Sequence, residues 1–581
     1  MTSVTDGNGH VRTYTLTNRG EIATSTLADG AEEQWAYDGN GNMTAYVNPL
    51  SQTIDYVFDN AGRETAIDYP SGTNTSLSYD NAGRRTGMID ATGTTSWGYD
   101  AASRQTSLNT PQGNMTYTFD NAGKRLTMVE TVGTTTYTYD ADSRLTGLAN
   151  PYSENTTMAY DAASRQTQET FASGAYDVIG YDSRNRVTSV THKNSSGSVL
   201  SSETYSLDYA SNLSSKTVDS VTTSYTYDAA DQVLSESNTG FSAAYTYDAN
   251  GNRSTQVLNG TTYNYSYDNG DKLTSISSGG STVKSYAYDG AGRTHTVTTG
   301  AGTTTLTYDY EDRVTGISYP SSATNSFAYN GLDTRVGKTD SSGTSTYKRD
   351  GTEVSDPLLS DGSIAYTPGI SERKTGASTF DHSNYLGTFT RQTNASQSTT
   401  STRVYDAFGN LESSTGAPQS PFGFVGGQGY QEDGDSGLKL LGHRLYDPST
   451  GRFLTRDPAK DGRNWFCYCD SNPLAESDPE GFSPDPSDPD PIGLTPPPVY
   501  RPPHYQLPMP PLSRPPGPGG QMPPVPPSKS FPAKKPRPPL GGSINGSGAT
   551  GRGSFGPVNI SGTVDRHGHF GGGLIVLSWK F

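Results

Sequence analysis

A Tyr-Asp or Phe-Asp pair recurs along most of the chain at intervals of 20 or 21 residues. Its aspartates are Asp38, Asp59, Asp80, Asp100, Asp120, Asp140, Asp161 and Asp182, and then Asp228, Asp248, Asp268, Asp289 and Asp309. A fixed period of this length is typical of repeat proteins, in which each unit is one small module that packs on its neighbours. The chain is therefore predicted to fold as an array rather than as several independent globular domains.

Each unit combines a strand pattern with a turn pattern. Tyr137-Thr-Tyr139 alternates large aromatic and small residues, which is the period-two pattern of a strand. After the Asp comes a turn segment such as Asn60-Ala61-Gly62, where Gly permits a positive φ and Asp can cap the turn. A basic residue such as Arg144 follows, and pairing of the Asp with this residue across the turn is expected. Each unit is thus predicted to be a β-hairpin.

The composition indicates thin, tyrosine-lined layers rather than an apolar core. Only 31% of the residues are hydrophobic, and there are 38 Tyr against 17 Phe. A single hairpin is marginally stable in water, so successive units must pack side by side. Because a long sheet twists, the predicted fold is an all-β spiral of stacked hairpins that curls into a solenoid or hollow shell.

Charge and hydropathy exclude some functions. The net charge of −17 argues against nucleic-acid binding by the repeat body, because nucleic-acid binders need a cationic surface. The chain has no apolar run long enough to cross a bilayer and no visible export signal. Since the repeat register already begins near Tyr14, we expect the chain to be a fragment of a longer protein or a split gene product. The two cysteines, Cys467 and Cys469, are too few for a disulfide scaffold, and packing is their expected role.

The Tyr-Asp-x-x-Gly-Arg pattern resembles the YD repeats of the RHS family, which includes bacterial polymorphic toxins, insecticidal toxin-complex C subunits and the animal teneurins. The resemblance spans roughly residues 11–347. It implies a large hollow β shell that encapsulates a cargo polypeptide. We therefore assign residues 1–347 to the repeat array and residues 348–404 to degenerate repeats.

Residues 405–482 contain a dense run of different motifs: Tyr405-Asp-Ala-Phe-Gly409, Phe422-Gly-Phe-Val-Gly426, Gly442-His-Arg-Leu-Tyr-Asp-Pro448, Thr455-Arg-Asp-Pro458 and Asp478-Pro-Glu-Gly-Phe482. These closely resemble the RHS-repeat-associated core. That resemblance implies an aspartyl-protease-like unit that cuts the chain once, just after its last motif. Carried over by matching motif, the catalytic residues are Arg444, Asp457 and Asp478. The implied cut lies between Phe482 and Ser483.

These residue types suit a single-turnover protease that needs no cofactor or metal. Two carboxylates brought close together cannot both ionise, so one keeps a proton while the other activates water. The simpler interpretation is that Asp447-Pro448 and Asp457-Pro458 are only turns. Two departures from the family pattern put cleavage efficiency and the scissile bond in question: no Gly-Gly follows Asp457-Pro458, and Phe482 stands where Leu is commoner.

The remainder of the chain is a tail. Residues 483–540 hold 23 of the 37 prolines and are predicted to be an extended or disordered linker. Residues 541–581 form a short Gly-rich segment where the family has its variable effector. His567 and His569 could be metal or nuclease ligands, but a polar Gly-rich loop explains them more simply.

The leading functional hypothesis is an RHS-type shell protein, secreted or at the cell surface, that wraps its own C-terminal segment as cargo and releases it by autoproteolysis. A companion shell subunit or an immunity protein would be its partner. The alternative is a non-catalytic structural or adhesive β array at the cell surface that binds glycans through exposed Tyr and Trp.

Overall fold

The computed structural model describes residues 3–417, 420–460 and 464–482 of the chain. This part is almost entirely β, with three antiparallel sheets and short 3₁₀ helices at Gly426–Gln428 and Cys469–Ser471. None of the helices in these ranges is long and apolar enough to cross a membrane.

The first sheet contains 34 strands, which we number β1 to β34 in chain order. Their bounds are Ser3–Thr5, Val11–Leu16, Ile22–Thr26, Glu32–Tyr37, Met43–Val47, Thr53–Phe58, Glu64–Asp68, Thr75–Tyr79, Arg85–Asp90, Gly93–Tyr99, Gln105–Thr110, Gly113–Phe119, Arg125–Glu130, Gly133–Tyr139, Leu145–Ala149, Asn155–Tyr160, Gln166–Thr170, Tyr176–Tyr181, Val187–Lys193, Val199–Leu207, Leu213–Val218, Val221–Tyr227, Val233–Ser237, Ser242–Tyr247, Arg253–Leu258, Thr261–Tyr267, Leu273–Ser278, Ser281–Tyr288, Thr294–Thr299, Gly302–Tyr308, Val314–Ser318, Thr324–Tyr329, Arg335–Asp340 and Gly343–Thr346.

Two smaller sheets follow. The second sheet has eight strands, β35 to β42, at Lys348–Arg349, Leu358–Ser360, Ile364–Thr367, Ser371–Lys374, Ala377–Ser383, Phe389–Asn394, Thr399–Tyr405 and Leu411–Gly416. The third has four strands, β43 to β46, at Gln431–Glu432, Lys439–Leu441, Arg444–Asp447 and Arg452–Phe453. The second sheet therefore runs through Tyr405, where the sequence motifs change, and ends only at Gly416.

Every strand of the long sheet pairs antiparallel with the next strand along the chain. Tyr117 of β12, for example, lies opposite Met128 of β13, and Thr127 of β13 lies opposite Thr136 of β14. Among the described residues β1 and β34 do not pair with each other, so the sheet is open rather than closed. The predicted array of stacked hairpins is confirmed.

The turn after each Tyr-Asp pair is held by the Asp carboxylate. In one unit Asp100 Oδ1 accepts the backbone N–H groups of Ala102 at 2.9 Å and Arg104 at 3.0 Å. Arg104 Nε donates to Asp100 Oδ2 at 2.6 Å, which confirms the predicted pairing across the turn. The same guanidinium also donates to the carbonyl of Asp120, the aspartate of the next unit, at 2.7 Å. The basic residue therefore joins consecutive units as well as closing its own.

The tyrosine of the pair forms a hydrogen bond to the preceding unit, whereas the basic residue bonds to the following one. The hydroxyl of Tyr99 donates to the carbonyl of Arg85 in the preceding unit at 2.8 Å. The strand register shifts between Gly98 and Tyr99, and such a bulge disrupts the ladder locally. The Arg84 guanidinium lies over the Tyr99 ring, 4.8 Å from its centroid, which adds a cation–π contact between the two units.

Turns that lie about 240 residues apart along the chain meet in space. Asn8 Nδ2 donates to Asp248 Oδ2 at 2.9 Å, and the backbone N–H of Gly331 donates to Asp90 Oδ2 at 2.6 Å. The turn between β1 and β2 thus faces the turn between β24 and β25. Because these separations, 240 and 241 residues, stay nearly constant, the long sheet is a spiral that completes one revolution in about that length.

The core lies between one face of the long sheet and the chain that follows it. Tyr245 of the long sheet clusters with Phe408, Leu306 clusters with Leu445, and Phe171 clusters with Phe380. Tyrosines line this face, as predicted: those of the long sheet with less than a tenth of their surface exposed are Tyr117, Tyr205, Tyr225, Tyr245, Tyr265 and Tyr329.

The contact between revolutions can be tested at Gly331. A Cβ atom there would lie 2.7 Å from Thr75 Cγ2 and 3.2 Å from Met88 Sδ, both in the preceding revolution. We expect Gly331→Ala to lower the free energy of unfolding by about 1–3 kcal/mol through overpacking. Gly300→Ala, where the added Cβ meets no atom within 4 Å, is the matched control and should stay within about 0.5 kcal/mol. Urea unfolding followed by tryptophan fluorescence measures both, and equal effects would contradict the spiral contact.

The loop between β35 and β36 buries a carboxyl group. Asp356 Oδ2 accepts the backbone N–H of Glu353 at 2.7 Å, and the backbone carbonyl of Asp356 accepts Arg349 Nη1 at 2.8 Å. Burial raises the pKa of Asp356 from 3.8 to about 8. The folded chain therefore keeps a proton on this group across a pH range in which the unfolded chain has lost it.

This shift predicts a pH dependence of stability. The contribution of Asp356 is complete below about pH 4 and is lost as the pH rises towards 8, because a raised carboxyl pKa favours the folded state only while the proton is bound. We expect Asp356→Asn, which stays neutral, to show a smaller fall in unfolding free energy between pH 5 and pH 8 than the unaltered chain. Urea titrations of both chains at the two pH values measure this. The same fall in both would refute it.

Candidate functional site

The candidate site is assembled where the third sheet meets the last motif of the described chain. Gly442 and Gly481 both have a positive φ, 50° and 72°, which glycine adopts without strain. A Cβ atom on Gly442 would overlap the backbone of Glu480, and one on Gly481 would overlap the carbonyl of Leu441. The two glycines therefore allow the segment before β45 to lie directly against the segment 478–482.

Arg444, the first residue of β45, anchors this contact. Its side chain is buried and donates to three acceptors: Asp478 Oδ2 at 3.1 Å, the carbonyl of Trp465 at 3.2 Å, and the carbonyl of Gly481. The guanidinium also lies over the ring of Phe453, 3.6 Å from the centroid. These three hydrogen bonds and the aromatic ring over its face offset part of the cost of burying the guanidinium.

Asp478 lies at the centre of the arrangement. Its backbone N–H donates to the hydroxyl of Tyr430 at 2.6 Å, and its Oδ1 accepts the backbone N–H of Phe482 at 3.0 Å. Burial raises the pKa of the Asp478 carboxyl above its ordinary value, although the Arg444 guanidinium opposes this. Burial is the larger effect, so the protonated form is favoured more strongly than in an exposed aspartate.

Asp457 reaches the same region through Trp465. The backbone N–H of Asp457 donates to the Trp465 carbonyl at 2.9 Å, the same oxygen that accepts Arg444 Nη1. Asp457 Oδ1 accepts the backbone N–H of Ala459 at 2.9 Å, and the residue is buried. The structure thus brings Arg444 and Asp478 into direct contact, and it links Asp457 to them through one shared carbonyl.

Phe482 is the last described residue, and Ser483 lies outside the described residues. The Phe482 ring stacks on the ring of His443, with centroids 5.3 Å apart and an interplanar angle of 30°. The His443 backbone N–H donates to the Glu480 carbonyl at 3.0 Å. Burial lowers the pKa of the His443 imidazole, which favours the neutral form of the ring that packs on Phe482. The sequence motif Gly442-His-Arg contains His443, but nothing in its spacing distinguished it from a structural residue.

The segment that carries the site rests on turns of the long sheet. Arg452 Nη1 donates to Asn252 Oδ1 at 2.7 Å, and Asn464 Nδ2 donates to the same oxygen at 2.8 Å. Further along, Asn472 Nδ2 donates to Asn212 Oδ1 at 3.0 Å. Asn212 and Asn252 stand at the turn position where most units have a basic residue.

The remaining sequence predictions concern the cysteines and the tail. Cys469 is buried in an aromatic cluster with Tyr430 and Tyr446, which confirms a packing role. Burial raises the pKa of both cysteine thiols, so neither is an activated nucleophile. The proline-rich linker, residues 483–540, and the two tail histidines, His567 and His569, lie outside the described residues.

A model of the RHS Repeat family matches residues 37–73, 58–95 and 79–115. Two curated relatives match parts of the chain. The tRNA3(Ser)-specific nuclease WapA of Bacillus spizizenii is 30% identical over 151 residues, which cover 23% of this chain and 6% of WapA. The Escherichia coli protein YibJ is 40% identical over 80 residues, which cover 13% of this chain and 34% of YibJ. The matched stretches thus span about a third or less of each relative.

The fold is similar to that of a solved structure. The crystal structure of TcdB2-TccC3-TEV aligns with 80% of this chain and 28% of that chain, with a TM-score of 0.67 and 17% sequence identity. At this identity the likeness establishes the fold. The repeat period, the matching family model and the WapA relative together identify the repeats of this chain as RHS (YD) repeats.

Proposed function

We propose that the chain is an RHS shell protein that encloses its own C-terminal segment and releases it by one self-cleavage after Phe482. The observation that carries the proposal is the buried arrangement of Arg444, Asp478 and Phe482, in which one guanidinium and one carboxyl hold the end of the Asp-Pro-Glu-Gly-Phe motif. The proposal includes export or surface display and delivery of the segment into a competitor or host cell.

The spiral sheet supports the enclosing role. One revolution takes about 240 residues. The long sheet, β1 to β34, is the wall of the proposed shell, and the second and third sheets cover its tyrosine-lined face. The described residues include less than two revolutions, and the chain aligns with 28% of the TcdB2-TccC3-TEV chain. A companion shell subunit that extends the wall is therefore part of the proposal, as is an immunity protein that binds the released segment.

The raised pKa of Asp478 supports one of the two roles that cleavage requires. Asp478, with its raised pKa, is assigned as the general acid, and Asp457 as the general base. In this scheme Asp457 takes a proton from a water whose oxygen bonds to the Phe482 carbonyl carbon. The bond from that carbon to the Ser483 nitrogen then breaks, and Asp478 gives its proton to this nitrogen.

Arg444 and the chain itself supply positioning. Arg444 binds the Gly481 carbonyl, one peptide before the residue that is attacked, and so restricts the motion of the scissile segment. Because substrate and catalyst belong to one chain, no binding step is needed and a large entropic cost is avoided. A single turnover is sufficient for release.

The test is to express the full chain and measure the masses of its products. We expect a fragment that ends at Phe482 and a complementary fragment that begins at Ser483. Asp478→Asn and Asp457→Asn should each abolish cleavage or slow it at least 100-fold, because each removes a proton-transfer group.

Asp447→Asn is the matched control, since Asp447 is a buried aspartate followed by proline in the same segment, where it pairs with Lys284 Nζ at 3.1 Å. This variant should still cleave. Circular dichroism on all chains checks that the sheets are intact. An unaltered, folded chain that stays whole would refute the proposal, and so would equal cleavage in all four chains.

A further inference from the structure

Three buried side chains from two different sheets converge far from the candidate cleavage site. Asp177 on β18 and His192 on β19 lie opposite each other in the long sheet, and His382 comes from β39 of the second sheet. Asp177 Oδ1 lies 2.6 Å from His382 Nδ1 and 2.8 Å from His192 Nδ1. One donor atom from each residue falls within 4.8 Å of the others.

Hydrogen bonding alone does not satisfy this cluster. Nε2 of His192 has no hydrogen-bond partner, and Nδ1 has only the Asp177 carboxylate oxygen at 2.8 Å, although the side chain is completely buried. A buried polar nitrogen without a partner costs free energy, and such groups in native proteins need an explanation. An ion that accepts the lone pair of one imidazole nitrogen would supply the missing interaction.

The surroundings of His382 suit metal ligation. Its Nε2 lies 3.0 Å from the hydroxyl of Thr393, which can accept a hydrogen bond from that nitrogen. In this tautomer the proton is on Nε2 and the lone pair of Nδ1 points towards Asp177. An outer hydrogen-bond partner that fixes the tautomer in this way is a regular feature of metal-binding histidines. The His382 ring is further held by an edge contact with Phe171, at 4.9 Å between centroids.

We propose that Asp177, His192 and His382 bind a divalent transition metal ion of the Zn²⁺ class. Two imidazoles and one carboxylate are donors that Zn²⁺ prefers, whereas Mg²⁺ and Ca²⁺ prefer oxygen donors throughout. Tetrahedral zinc places its ligand atoms about 3.3 Å apart, so the two short nitrogen–oxygen distances would open by a few tenths of an ångström or more on binding. A water molecule would take the fourth position.

The ion would act as a cross-link. It joins β18 and β19 in the wall to β39 in the second sheet, and the residues that it joins are 205 positions apart along the chain. Phe171 and Phe380 pack beside it in the same interface. Because the three ligands are buried, the ion would enter while the chain folds and would exchange slowly afterwards.

The metal content of the full chain tests the proposal. The parent chain for the experiment carries His567→Gln and His569→Gln, which removes the tail histidines as a second source of binding. It is expressed in medium with added Zn²⁺, dialysed, and analysed by inductively coupled plasma mass spectrometry. We expect about one zinc per chain.

Two variants of this parent, His382→Gln and Asp177→Asn, should each contain at least fivefold less zinc per chain than the parent. His295→Gln is the matched control: His295 is exposed, its Nδ1 lies 3.1 Å from the Leu306 carbonyl, and the zinc content should not change. Expression with Co²⁺ gives an independent readout that needs no variant, since tetrahedral Co²⁺ absorbs visible light strongly. A parent chain with no zinc and no such absorption would overturn the proposal, and so would equal zinc in the parent and in His382→Gln.

Discussion

The long sheet depends on one repeated interaction, in which a carboxylate closes its own turn and the following guanidinium reaches the next turn. Asp100 accepts two backbone N–H groups of its turn, while Arg104 bonds both to Asp100 and to the carbonyl of Asp120. An isolated surface pair of this kind contributes little. Here each pair also satisfies backbone groups that would otherwise need water, and it determines where the next turn must lie. The bond also persists across a longer unit, since Arg186 donates to the carbonyl of Asp208 at 2.8 Å although Asp182 and Asp208 are 26 positions apart.

At two positions where the chain departs from this interaction, the wall binds the segment that follows it. Asn212 and Asn252 replace the arginine of the repeat, and beside Asn252 the guanidinium of Arg452 donates to the carbonyl of Asp271 in the next turn instead. Their amide nitrogens still bond to Asp231 and Asp271 of the next units, at 2.9 Å and 2.7 Å. Their amide oxygens are then available to Asn472, Arg452 and Asn464. A residue that keeps the repeat intact with one end and binds the following segment with the other end thus serves both roles.

The local part of this fold could be predicted from the sequence, and the long-range part could not. The hairpin, the tyrosine row and the Asp to Arg pairing all follow from patterns within one unit of about 20 residues. The contact of Asn8 with Asp248 depends on the twist accumulated over 23 strand steps, since a small change in twist per strand would move it by several turns. The sequence likewise did not indicate that Asp177 and His382 meet, because they belong to sheets that associate only through tertiary packing. In the candidate site, Arg444, Asp457 and Asp478 came from motif resemblance, and His443 was missed because a buried histidine has no distinctive spacing.

The position of the candidate site makes its assembly dependent on the wall. Arg444, Asp478 and Phe482 contact one another, but the segment that carries them has little secondary structure of its own beyond a four-stranded sheet of short strands. Its side chains are held from outside: Arg456 contacts Asp29, Lys460 Nζ pairs with Glu33 at 2.6 Å, and Asn325 Nδ2 donates to Asp433 at 3.1 Å. These wall residues come from both revolutions of the spiral. The segment that contains Asp478 is therefore held in place by wall residues from both revolutions of the spiral. In the proposed reaction these contacts have a consequence, because the wall fixes the segment that carries Arg444, Asp457 and Asp478 from several sides and so restricts its motion.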